Sequence, residues 1–320
     1  MQLKSNLKEV SELEQNKDSI GCYENKKLSN VAVITNFNIS DKLRSSLQVI
    51  EKLMELGCKI TVPARGEEKI KEASPELAGK IEFLTFDRFY KNLDAVVVLG
   101  GDGSILESAR FAASYSVPVL GMNLGRLGYL AELEMNELQM LSDIVGGNYT
   151  IDERSMLKVG IRSQKKGRIH CGYALNDAIL SNGSAPKVID LQLYESDSLI
   201  ASYRADGIIV ATPTGSTAYS MSAGGAIVDP AVPCFCVTPI CSHSLAARPL
   251  VFSDRSVLEI RNVCEREKML YLTVDGKMNF ELYKNQTVRI TKSDLETSLI
   301  RFHQSGFYTK LCRKMRESQF

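Results

Sequence analysis

Residues 94–104 read Asp94-Ala95-Val96-Val97-Val98-Leu99-Gly100-Gly101-Asp102-Gly103-Ser104. The apolar run has no polar alternation, which predicts a strand buried on both faces, the habit of a parallel sheet covered by helices. A helix is expected from Ser104 to Tyr115. Glycines between a strand and a helix allow a tight turn and close approach of a ligand, and the helix start aims free N–H groups at an anion. Phosphate is the natural guest. A carboxylate there would repel it, so Asp102 needs a further role: accepting a proton from an attacking hydroxyl, or holding a divalent cation. A plain Gly-Asp-Gly turn is the alternative reading if the segment stood alone.

The same alternation of elements extends outward on both sides. Val31-Ala32-Val33-Ile34 predicts a strand, Asp41–Leu56 a helix stopped by Gly57, and Lys59–Val62 a second strand. Glu67–Lys80 reads as helix or loop, Val117–Leu120 as another buried strand, and Glu134–Val145 as another helix. The fold class expected for residues 31–149 is therefore an α/β domain with a parallel sheet, preceded by a polar flexible arm at 1–30. From about 150 to 299 short strands such as LKVGI, VIDLQLYE, GIIVAT and LYLTVDG replace the helices, predicting a mainly β, sandwich-like second domain. Residues 300–320, with Phe307, Tyr308 and Leu311 among basic residues, read as a strand or helix returning to complete the first domain.

Composition excludes several classes of function. The chain has 320 residues, 44% of them hydrophobic, enough for a sizeable core. Thirty-nine basic against 38 acidic residues give a net charge of +1 with no basic block, which argues against a nucleic-acid partner. No apolar run approaches the ~18–20 residues of a membrane span, and the charged N-terminus is unlike a secretory signal, so no membrane partner and a cytoplasmic location are expected. Eight cysteines are scattered without paired CxxC motifs, and reduced thiols are expected. Cys234, Cys236, Cys241 and His243 form a local cluster, but alternation along an apolar strand explains cysteine there as a small hydrophobe, and no metal is assigned to it.

Further segments carry polar chemistry. Asp206–Gly225, DGIIVATPTGSTAYSMSAGG, places the hydroxyls of Thr212, Thr214, Ser216, Thr217, Tyr219, Ser220 and Ser222 within eleven positions. They suit a base and ribose; turn and cap preferences explain two or three of them. Asn176 and Asp177 lie inside the strand-like YALNDAILS, where polar groups cost free energy unless bonded. Asp275-Gly276-Lys277 reads by itself as a hairpin turn.

Together these segments, with GMNLGRLGYL at 121–130 and TVDGK at 273–277, resemble the NAD kinase family in order and spacing from Val31 to about Arg313. The GGDG loop alone is also similar to loops of lipid kinases and phosphofructokinases; the LND element and the hydroxyl-rich segment point to NAD kinases. The resemblance implies transfer of a phosphoryl group from ATP, or another donor, to the 2′-hydroxyl of the adenosine ribose of NAD, with Mg²⁺ or a similar ion accompanying the donor and a homodimer or homotetramer as the assembly. Asp102 looks like the proton-accepting aspartate, and Gly100, Gly101 and Gly103 like its phosphate and dinucleotide loop. Asn176, Asp177, Lys187, Arg204, Asp206, Thr214, Thr217, Ala218, Tyr219, Ser220 and Ser222 fall where the family binds NAD. Lys277 stands where relatives often carry glutamine or histidine, and Ser104 where threonine is common. Lys187, Arg204 and Lys277 are the cations available to a phosphoryl group. A lipid or sugar-phosphate kinase and a non-catalytic dinucleotide sensor are the rival readings; no membrane-facing surface marks the first, and the presence of Asp102 opposes the second.

Overall fold

A computed structural model describes residues 26–125, 128–163, 167–183, 188–244, 246–265, 269–302 and 306–317. Most of the expected N-terminal arm, Lys187 and the centre of the 121–130 segment lie outside the described residues. The chain divides into two compact units. One spans Arg154–Glu296; the other takes the described residues up to Glu153 and those from Thr297 onward.

In the second of these, the strands are β1 (Asn30–Ile34), β2 (Lys59–Pro63), β3 (Glu82–Leu84), β4 (Ala95–Leu99) and β5 (Val119–Asn123). They pair in parallel in the order β3-β2-β1-β4-β5. The uniform burial of β4 is what its unbroken valine run requires. Helix α1 (Ser40–Glu55) packs Val49, Ile50 and Leu53 into the core with β1 and β4 side chains, each burial worth ~1.5–3 kcal/mol. It ends where expected. Gly57 has φ of +85°, its N–H donates to the Met54 carbonyl at 2.9 Å, and the Cys58 N–H donates to that of Leu53 at 3.0 Å, a Schellman stop.

Three local expectations change. Helix α2 spans Asp102–Ala113 rather than starting at Ser104, because Gly101 is its N-cap and Asp102 favours the first turn. The helix expected over 134–145 is a 3-10 turn, Met135–Met140, followed by a short α-helix, Leu141–Gly146, with a non-helical Glu137 inside the turn. The C-terminal segment is both strand and helix: Leu299 pairs with Val119 at the end of the strand Thr287–Arg301, and helix α3 (Phe307–Glu317) follows. Buried Glu132 anchors this return by accepting from Arg301 at 3.2 Å, Lys310 at 2.6 Å and the Phe302 N–H at 2.9 Å.

The Arg154–Glu296 unit is built from antiparallel strands. One sheet runs Leu250–Ser253, Cys234–Ile240, Gly207–Ala211, Asp177–Ser181, Met269–Val274, Met278–Tyr283. The strands Ser198–Ala205, Ile189–Glu195 and Leu258–Asn262 form a second antiparallel set, joined by the early part of Thr287–Arg301. Leu180, Ile208, Val210, Phe235, Leu272 and Ile260 share one continuous core. Cys234 and Cys236 sit among Ile209, Ala211 and Ile240, and burial pushes both thiols up, Cys236 to about 12.

Candidate functional site

Two constellations carry the polar chemistry, one in each unit. In the α/β unit, the β4–α2 turn places Asp102 in the first turn of a twelve-residue helix. Its Oδ2 accepts the Tyr129 N–H at 2.8 Å and its Oδ1 accepts the Leu130 N–H at 3.0 Å. Lys314 of α3 stands 3.5 Å from Oδ2, with its ammonium 3.5 Å from the centre of the Tyr129 ring. A carboxylate offers about four lone-pair directions, so two N–H donors fix the group without exhausting it. It is oriented and still able to accept from a hydroxyl.

Glycine is required around this carboxylate for two different reasons. A Cβ on Gly128 would overlap Asp102 Oδ1, and one on Gly100 would press on Ser104 Oγ at 3.0 Å. At Gly101 and Gly103 a Cβ meets no atom within 4 Å among the described residues outside its immediate chain neighbours. The chain's own packing does not demand glycine there, whereas close approach of a ligand to the first N–H groups of α2 would.

In the antiparallel unit the centre is Asp275. It sits in a type I′ hairpin turn, with φ of +48° at Asp275 and +67° at Gly276, and the Lys277 N–H donates to the Val274 carbonyl at 3.2 Å. The hairpin reading holds, yet the turn does more. The Asp275 carboxylate accepts the N–H groups of Leu175 at 2.9 Å, Asn176 at 2.8 Å and Asp177 at 3.1 Å. Leu175 and Asn176 break the strand that YALNDAILS was expected to form, which runs Gly167–Ala174 and resumes at Asp177. Asp177 is buried, and burial first, then the charge of Asp275, pushes its carboxyl up to about 7.

The hydroxyl-rich segment folds onto this break. The Asn176 carbonyl accepts the Thr212 N–H at 2.9 Å, and Thr212 Oγ1 donates to the Leu175 carbonyl at 2.5 Å. A methyl on Gly215 would overlap the Asn176 carbonyl, so only glycine allows this approach. With Thr212, three of the hydroxyls serve the backbone, within the two or three that turn preferences suggested. Ser216 donates to the Pro213 carbonyl at 2.6 Å, Thr217 to that of Thr214 at 3.2 Å, and Ser220 shares a 3.0 Å bond with Thr238. Arg154 donates to Thr214 Oγ1 at 3.2 Å. Ala218 is half-buried, while Tyr219 and Ser222 are exposed.

Asn176, Asp177, Thr214 and Thr217 are thus brought together. Arg204 and Asp206 are not part of that group. They precede the strand Gly207–Ala211, whose other end leads into Thr212, a separation of ~20 Å at strand rise. Lys277 is exposed in the hairpin turn. Sequence reasoning quoted Asp275, Gly128 and Gly215 within their motifs without giving them a site role, and it missed Lys314. The positive-φ turn composition hinted at Asp275; the others act across long sequence separations and leave no local signal.

A carboxylate oriented at a glycine-rich helix start, in a chain whose other unit presents a buried acid and a hydroxyl-rich turn, fits a phosphotransferase that handles nucleotides. The comparisons give the particular family. The ATP-NAD kinase N-terminal domain model matches residues 31–149 and the ATP-NAD kinase C-terminal domain model matches residues 175–302. The chain belongs to the NAD kinase family. It is 42% identical to the NAD kinase of Carboxydothermus hydrogenoformans over 75% of this chain and 85% of that protein. With that of Heliobacterium modesticaldum it shares 36% identity over 90% of this chain and 99% of the relative. The crystal structure of yeast NADH kinase complexed with NADH superimposes with a TM-score of 0.81 at 25% identity, covering 91% of this chain and 87% of that one. An Archaeoglobus fulgidus NAD kinase in complex with ATP shares the fold, with a TM-score of 0.62 at 23% identity over 90% and 98% of the two chains.

Proposed function

We propose that this enzyme phosphorylates NAD at the 2′-hydroxyl of its adenosine ribose, with ATP as donor and Asp102 as the general base. The observation that carries the assignment to Asp102 is its double anchoring by the Tyr129 and Leu130 N–H groups at the start of α2. The 2′-oxygen forms a bond to the γ-phosphorus as the bond from that phosphorus to the β,γ-bridging oxygen breaks, releasing ADP. The hydroxyl proton passes to Asp102, while the N–H groups at Gly101–Gly103 hold phosphate oxygens.

NAD is proposed to bind through Asn176, Asp177, Thr214, Thr217, Ala218, Tyr219, Ser220 and Ser222, with Lys187, Arg204, Asp206 and Lys277 contributing. Exposed Tyr219 offers a face on which a base can stack. The Mg²⁺ or similar ion is proposed to enter with the triphosphate whose charge it neutralises. A cytoplasmic homodimer or homotetramer is proposed. Exposed Leu199, Ile200 and Val251 on edge strands of the antiparallel unit support an assembly, and no described helix is long and apolar enough to cross a membrane.

Product analysis tests the acceptor. With ATP and Mg²⁺ offered alongside NAD, diacylglycerol or fructose 6-phosphate, only NAD is expected to be phosphorylated; phosphorylation of either other acceptor without NADP would overturn the reading. In a calorimetric titration, Thr217→Ala combined with Tyr219→Ala is expected to weaken NAD binding at least tenfold and ATP binding much less. Unchanged NAD affinity would remove both residues from the site.

A further inference from the structure

Both N–H groups that orient Asp102 sit on a segment gripped from the far end of the chain. The Leu130 carbonyl accepts from Arg301 Nη1 at 3.0 Å, and Arg301 is fixed in turn by Asp152 at 3.0 Å and by buried Glu132 at 3.2 Å. The Tyr129 ring carries the Lys314 ammonium 3.5 Å from its centre, a cation–π contact. Tyr129 donates to Oδ2 and Leu130 to Oδ1, so each oxygen of the carboxylate is held through a residue that the C-terminal return clamps.

Helix α3 delivers Lys314 to that place. Lys310 and Lys314 are four residues apart and share one helix face, on which Lys310 bonds Glu132 at 2.6 Å. Leu311 is buried beside them and anchors the helix. One turn beyond Lys310, Lys314 stands 3.5 Å from Asp102 Oδ2. A tight ammonium–carboxylate bond closes to ~2.7–2.9 Å. At the longer distance the lysine steers Oδ2 rather than capping it, and the oxygen can still accept from a hydroxyl.

We propose that Lys314 is a positioning residue for the phosphoryl transfer: through the Tyr129 ring and its own charge it holds the Asp102 carboxylate in the orientation that accepts the hydroxyl proton. The inference rests on Asp102 being the general base. It gives α3 a part in the reaction rate without contact with either substrate.

The test measures kcat, and KM for NAD and ATP, in full-length proteins carrying Lys314→Met, Lys314→Gln, Lys314→Arg, Asp102→Asn, and Lys314→Met together with Asp102→Asn. Melting curves check folding. Lys314→Met and Lys314→Gln both remove the charge, the first keeping the stem and the second staying polar at a position 26% exposed. Each is expected to lower kcat about 10- to 100-fold, the scale of a misplaced reacting group, with both KM values within about twofold of wild type. Lys314→Arg should recover most of the rate. In the Asp102→Asn background, Lys314→Met should cost less than about twofold, because the group it positions is already gone. Hydrogen exchange reads the clamp without turnover: the Tyr129 and Leu130 amides should exchange faster in Lys314→Met than in wild type. An unchanged kcat in both charge-removing variants, equal fold losses in the two backgrounds, or unaltered exchange at both amides would overturn the proposal. Failure of the underlying reading looks different: Asp102→Asn would keep the wild-type rate, or the wild type would form no NADP, while the exchange rates would still judge the clamp.

Discussion

Asp102 and Asp177 are both carboxylates near candidate chemistry, and their surroundings give them different work. Asp102 is partly exposed and held by backbone donors in a fixed orientation. Replacing it by Asn keeps the shape and removes the proton acceptor, so kcat should fall by roughly 10²–10⁴ with NAD affinity retained, as steady-state kinetics would show. Gly128→Ala should lower kcat through the same carboxylate, because its methyl overlaps Oδ1. Asp177 is buried, and its carboxyl, ordinarily near 3.8, is pushed up to about 7 by burial and by Asp275. Ionising it therefore opposes folding. Below about pH 4 the group is protonated in both folded and unfolded chains and costs nothing; the cost grows as pH rises to about 7 and then stays constant, with a ceiling of about 4 kcal/mol at ~1.4 kcal/mol per pH unit. Asp177→Asn should accordingly raise Tm at pH 8 and leave it nearly unchanged at pH 4, while weakening NAD binding. Equal Tm changes at both pH values would refute this account of the residue.

Among the elements, those built from local pattern were legible and those built by distant contact were not. The valine run predicted β4, and Gly57 predicted the end of α1, because each is dictated by its own residues. β3 has only three residues, too few for a period, and Glu137 breaks the 134–145 pattern without a proline or glycine to announce it. The link from Asp275 to residues 175–177 spans about a hundred positions, so composition could show the turn but not its guest. That link should carry much of the local stability. Asp275→Ala leaves three backbone N–H groups without this acceptor, at ~1–3 kcal/mol for each one left buried and unpaired. A loss of at least about 3 kcal/mol is expected in urea unfolding, together with loss of NAD binding; a change below about 1 kcal/mol would show that the turn and the strand break stand independently.

For the whole molecule, the organising fact is that the α/β unit is discontinuous, closed by residues from Thr297 onward. The apolar and basic residues of 300–320 suggested this return, but neither the Glu132 cluster nor the Lys314–Asp102 contact could be read from them, since both depend on where α3 lands. Removing residues 306–320 takes Lys310 from the buried carboxylate of Glu132, which keeps Arg301, and takes Lys314 from Asp102. Such a truncation should lower Tm by several degrees, speed proteolysis of the α/β unit and reduce kcat, outcomes that melting curves and timed digestion would record. The measurement bearing most directly on the reaction itself sets wild type beside Asp102→Asn with NAD, ATP and Mg²⁺, and reads NADP with an NADP-specific dehydrogenase. Steady NADP formation by the wild type and a rate lower by roughly 10²–10⁴ in the variant, with equal NAD affinity, is the expected result. A wild type that forms no NADP, or a variant that forms it at the same rate, would contradict it.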